Sequence, residues 1–203
     1  MASLLIMRHF PTEYNAGNGK PELSRSWTRK GIERRTAEPL AKKAARIFDR
    51  EGVTEIGGSD LPRAAESAHL VAGKMKSRPS VKLSSRARTW KTGQEGQDEK
   101  KAREVRKKYV RNPDEPMPDG ESFNDFRDRF GPYIKRRLMD AANKKDGKIA
   151  EVLHGHEVMD ADHVANDEPM KDEHWSRLDE IKPGQVVELR HEGGRVSMHP
   201  VSD

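Results

Sequence analysis

None of the chain's 203 residues is cysteine, which excludes disulfides, thiolate zinc sites and a cysteine nucleophile. Large apolar residues are also scarce. Leu, Ile, Val and Phe together number 35, and aromatic residues make up 5% of the chain, a supply near the level at which folding itself is in question. The few aromatics are not interleaved with the basic residues, so single-stranded nucleic acid would find no stacking platform. Long hydrophobic runs are missing too. The N-terminal run at residues 4–7 is far too short for a signal peptide or a membrane span and carries no basic leader. A cytoplasmic chain with no membrane partner is the expectation.

What is plentiful is charge. Asp, Glu, Lys and Arg make up 36% of the residues, but the net charge is only +5, so the two signs nearly cancel. That balance argues against wholesale disorder and predicts a small core beneath highly charged helix surfaces. The length suits one domain covering 1–203, with no repeat and no linker that would divide it.

Periodicity predicts strands at 4–8, 53–58, 81–83 and 149–153 alternating with helices at about 28–49, 63–76 and 123–143. A terminal strand pair at 185–190 and 195–199 flanks Gly193-Gly194. Thr28 is the expected cap of the first helix, and Pro39 should bend it. Residues 84–118 read as a polar insert with a very basic helical piece at 100–111. Strands alternating with helices imply an α/β fold, a three-layer α/β/α sandwich with a mainly parallel central sheet.

The first strand ends abruptly in Arg8-His9, followed by Phe10, Pro11 and Thr12, with Asn15 just beyond. Open α/β sheets place ligands at such strand ends. A guanidinium beside an imidazole suits an anion, because Arg offers a planar fork of donors and His can act as nucleophile and proton carrier. Phosphate is the obvious candidate. Taken alone, the dipeptide reads first as a hydrogen-bonded strand end, the commoner role of a lone histidine there.

Three further segments change that. Ser59-Asp60-Leu61-Pro62-Arg63-Ala64-Ala65 runs from a strand end into a helix, and an arginine at a helix start opposes the helix dipole unless an anion is near. Pro118-Asp119-Gly120-Glu121-Ser122 introduces an amphipathic helix, and Leu153-His154-Gly155-His156 closes a second buried strand. In order, spacing and chemistry these four motifs resemble the histidine phosphatase superfamily, the phosphoglycerate mutase-like enzymes, over residues 4 to about 160.

The resemblance implies a metal-independent hydrolase of phosphomonoesters that needs no cofactor. His9 would attack phosphorus to give a phosphohistidine that water later hydrolyses. Arg8, Arg63 and His154 would surround the phosphoryl oxygens, with Thr12 and Asn15 adding hydrogen bonds. The expected partner is a small phosphorylated substrate or a phosphoprotein, not nucleic acid. The other histidines, with His156 as the one to watch, read as surface or packing residues.

Two departures stand out. Phe10 replaces the family's glycine, adding bulk beside the nucleophile. Thr89 occupies the place of the glutamate that serves many relatives as general acid. Glu95, Asp98 or Glu121 could stand in, although Glu121 reads first as a helix cap or a partner of nearby arginines. Without any acid, leaving groups that need little protonation would be favoured, such as phosphohistidine, acyl phosphate or aryl phosphate.

A mutase is the alternative within the family, disfavoured by the short chain and the missing acid. A non-catalytic phospholigand or nucleic-acid binding module on the same fold is the alternative outside it, motivated by Phe10, Thr89 and a pI of about 9.4. Retention of His9 weighs against a pure binder. The basic segment from Lys100 to Arg111 could receive a polyanion or be a solvated helix face.

Overall fold

Alternation along the first strand shows how little apolar material the fold needs. In the computed structural model, which describes residues 2–14, 24, 27–169 and 181–201, β1 (Ala2–Arg8) lies inside the sheet. It sends Leu4 and Ile6 into one core and Leu5 and Met7 into the other. β2 (Val53–Ser59), β3 (Ser80–Ser84) and β4 (Lys148–Leu153) join it in parallel pairings, and β5 (Val186–Glu192) and β6 (Arg195–Pro200) close one side as an antiparallel pair. The order across the sheet is β3-β2-β4-β1-β5-β6. The expected mainly parallel sandwich is what forms.

Helices cover both faces. α1 (Arg34–Arg50) and α2 (Pro62–Lys74) pack on the Leu5 side, largely through small residues such as Ala37, Ala41, Ala44, Ala64 and Ala68. Alanine lets helix backbones approach closely, so this core fills with few large side chains. On the other face α4 (Phe123–Asn143) contributes Phe123, Phe126 and Phe130, and α5 (Gly155–Ala165) adds Val158 and Ala161. The scarce aromatics are thus concentrated where one helix spans the sheet. No helix among the described residues is long and apolar enough to cross a membrane.

Boundaries differ from expectation in two places. α1 begins at Arg34, not near Thr28, because the Glu33 carboxylate accepts from the backbone N–H groups of Arg35 and Thr36 and so serves as its N-cap. The helix runs through Pro39 without ending. α5 has no counterpart in the periodicity reading, since acidic Glu157 and Asp160 occupy positions on its buried face. Between β3 and α4, the basic stretch forms α3 (Glu99–Arg111).

Candidate active site

The site gathers at the carboxyl ends of β1, β2 and β4, where the chain leaves the sheet. β1 is pinned there from both sides: the His9 N–H donates to the Leu153 carbonyl at 2.8 Å, and the Arg8 carbonyl accepts from the Gly184 N–H at 2.9 Å. His9 and His154 meet edge to face with ring centroids 5.2 Å apart. Both are nearly fully buried, at 2% and 3% exposure, and Arg63 matches them at 2%. His9 and His154 thus meet at the sheet's end, and Arg63 is buried in the first turn of the helix that follows β2, at the same end.

The His9 ring is held in one tautomer. Its Nδ1 lies 2.7 Å from the Phe10 carbonyl oxygen, which can only accept, so in the neutral ring Nδ1 carries the proton and Nε2 the lone pair. Ser67 on α2 fixes the backbone that makes this contact, accepting from the Phe10 N–H at 2.9 Å and donating to the Arg63 carbonyl at 2.6 Å. One hydroxyl thus couples the Arg-His strand end to the helix that carries Arg63.

Arg8 reaches the Ile181 carbonyl at 2.6 Å, and its guanidinium lies against the first residue of α5. A Cβ added at Gly155 would stand 3.3 Å from the Arg8 Nε and Cζ, so the His-Gly pair keeps room for the arginine. α2 and α5 both follow parallel strands and so begin at this end of the sheet, presenting helix N-termini that favour an anion.

Phe10 does not crowd the site as its sequence position suggested. Its side chain is fully buried in the core under α1 and α2 and rests against Gly184, whose φ of +81° and closeness to the ring both favour glycine. Thr12 is fully buried, and its Oγ1 accepts from the Tyr14 N–H at 3.3 Å. Asn15 lies outside the described residues, as does His174. His156, the second residue of α5, is half-buried; His69 and His191 are exposed.

The three carboxylates offered as substitutes for the missing acid have other work. Glu121 accepts from Arg129 at 2.6 Å and from the Lys91 N–H at 2.9 Å, while neighbouring Ser122 caps α4 in a reciprocal pair with Asp125. Asp98 caps α3 through the Lys101 N–H, and exposed Glu95 accepts from the Trp27 N–H. Asp60 binds Arg88 through both oxygens, at 2.6 and 2.7 Å, and that guanidinium holds its carboxyl below the usual range. The sequence reading passed over another carboxylate: Glu157, in the first turn of α5, is fully buried and faces Thr89. Burial pushes its carboxyl up, against the pull of Thr89 and of more distant Arg129 and Arg63.

The basic stretch divides. Lys100, Lys101, Lys108 and Arg111 are exposed, as a solvated face requires. Arg106 instead turns inward, pairing with Glu99 and donating to Ser24 at 3.2 Å. Trp27 donates to the Thr89 carbonyl at 2.7 Å beneath the Arg88 guanidinium, tying the 84–98 segment to the loop after β1.

Fold and recess together define a phosphoglycerate mutase-like α/β protein with paired histidines at the end of its sheet. The sequence profile of the histidine phosphatase superfamily (branch 1) matches residues 4–199, and the chain belongs to that superfamily. Among solved structures, phosphoglycerate mutase from Bacillus anthracis is similar with a TM-score of 0.75 at 17% identity, covering 98% of this chain and 92% of that one. A mycobacterial glucosyl-3-phosphoglycerate phosphatase gives 0.72 at 18%, covering 98% and 97%. A putative alpha-ribazole-5'-P phosphatase from Escherichia coli gives 0.72 at 16%, covering 100% and 98%. At such identities the likeness is one of fold. No curated protein matches the sequence.

Proposed function

We propose that this protein is a metal-independent phosphomonoester hydrolase working through a phosphohistidine on His9. The observation that carries the reading is the 2.7 Å contact between His9 Nδ1 and the Phe10 carbonyl. It assigns the lone pair to Nε2, which a nucleophile needs and a phosphate-binding histidine, which would donate, does not. Membership of the histidine phosphatase superfamily and structural neighbours named as phosphatases and a mutase support phosphate chemistry.

In the reaction, Nε2 of His9 forms a bond to phosphorus as the bond to the leaving oxygen breaks. Arg8, Arg63 and His154 stabilise the charge that spreads over the remaining phosphoryl oxygens. Water then attacks the phosphohistidine, releasing inorganic phosphate and restoring His9.

The test is hydrolysis of p-nitrophenyl phosphate in metal chelator by wild-type and His9→Ala protein. Samples are denatured in alkali, where phosphohistidine survives, and examined for the phosphorylated residue. Wild type should turn over and carry phosphate on His9, while the variant should stay folded and lose on the order of 1,000-fold or more in kcat. Full activity in His9→Ala would end this mechanism. Phosphate binding without turnover or phosphohistidine would favour the binding module.

A further inference from the structure

We propose that Glu157 is the general acid of this site, donating the proton that the leaving oxygen requires. The inference deepens the hydrolase reading and rests on it.

Glu157 follows His154 by three residues, and the one is the third residue of α5 while the other is its N-cap. That spacing places both on one face of the helix start, at the end of the sheet where His9 and Arg63 converge. Its exposure is 0%, of the same order as His9, His154 and Arg63, and the Arg63 charge acts on its carboxyl. Both carboxyl oxygens are shielded from solvent and lack a hydrogen-bond partner of ordinary geometry. Thr89 is the neighbouring side chain that acts on the carboxyl, and a substrate oxygen would complete the set.

Every other carboxylate weighed for this role already holds a backbone N–H or an arginine. Glu157 alone among them has both carboxyl oxygens buried without a hydrogen bond of ordinary geometry. Its charged and titratable surroundings are Arg63 from α2, Arg129 from α4, and Asp160 and the His154 cap on its own helix. Burial of this carboxyl favours the neutral acid, the form that can donate. Asp160, also buried, is pushed well up, first by burial and then by Glu157, so the pair resists carrying two charges.

The proton balance closes over two steps. As His9 Nε2 bonds to phosphorus, the carboxyl proton of Glu157 passes to the departing oxygen, releasing a neutral alcohol and leaving a carboxylate. The carboxylate then takes a proton from the attacking water as the P–N bond breaks, and both residues return to their starting states.

The experiment compares kcat/KM of wild type and Glu157→Gln on p-nitrophenyl phosphate, whose leaving group needs little protonation, and on glycerol 1-phosphate, whose leaving group needs much. Glu157→Gln should lose about 100-fold or more on the alkyl ester relative to the aryl ester. It should also lose the high-pH limb that ionisation of Glu157 imposes on the alkyl-ester profile of the wild type. Equal losses on both esters, or none, would overturn the assignment while leaving the hydrolase reading intact. Should the variant not fold, the dependence of wild-type kcat/KM on leaving-group pKa decides: a shallow slope supports a donor, a steep one refutes it. A wild type that turns over neither ester and forms no phosphohistidine refutes the hydrolase reading, and this inference with it.

Discussion

Glu151 and Glu157 lie on either side of His154, one on β4 and one on α5, and both have 0% exposure. Their surroundings could hardly differ more. Glu151 accepts from Tyr133 Oη and Arg137 Nε, each at 2.5 Å, and the Arg137 guanidinium continues to Glu55 at 2.7 Å, itself bound by Lys82. Even the neighbouring strand makes room, since a Cβ at Gly57 would collide with the Glu151 carboxyl. Burial pushes Glu151 up while Arg137 and Tyr133 pull it back. Glu157 has no such escort. A buried acid surrounded by designed partners reads as structure, whereas one left with unmet hydrogen bonds reads as a group awaiting a ligand.

The largest expected effect dissociates the two neighbourhoods by their arginines. Arg63→Ala should lower turnover of p-nitrophenyl phosphate about 100- to 1,000-fold and raise the phosphate inhibition constant, with thermal stability little changed. Steady-state kinetics and product inhibition measure this. An Arg63→Ala protein that kept its rate but melted early would place Arg63 with the structural arginines and break the contrast.

Arg137→Ala should do the reverse. Removing the guanidinium strands the buried Glu151 and half of the Glu55 pairing, at a cost of about 3 kcal/mol or more in denaturant unfolding. Turnover per folded molecule should stay within a few-fold of wild type. A catalytic defect without loss of stability would mean that the Glu151 network reaches into the chemistry.

Much of this was legible before any coordinates. Three of the four motifs carry His9, Arg63 and His154 to the same end of the sheet because each ends a buried strand or opens the helix that follows it, and such ends are marked by where apolar runs stop. α4 was readable to both ends from the spacing of Phe123, Phe126 and Phe130, although its cap is Ser122 and not Glu121. Glu157 was not. Periodicity treats Glu157 and Asp160 as solvent-facing, so α5 lost its apolar pattern in the sequence although its face is buried. Phe10 misled in the opposite sense: its neighbour in sequence is the nucleophile, but its neighbour in space is Gly184, some 170 residues on. Alternation along an extended chain sends adjacent side chains to opposite faces, and sequence adjacency to His9 therefore said nothing of the pocket.

The smallest effect bears most directly on the contrast. Burial raises the folded-state pKa of Glu157, so its contribution to stability is fully present below the ordinary glutamate value of about 4.3 and declines as pH rises through the raised value. The unfolded chain ionises first in that window and gains the advantage. Glu157→Gln cannot ionise and escapes the penalty. Its melting temperature should exceed that of wild type by roughly 2–4 °C above the window and converge with it below about pH 4. Scanning calorimetry of both proteins across that range reads the difference. A variant less stable than wild type at every pH would give Glu157 a structural partner after all and make it a second Glu151. A divergence above the window with the predicted sign would show that the fold tolerates this carboxyl at a cost in stability, the condition expected of a residue retained for its proton.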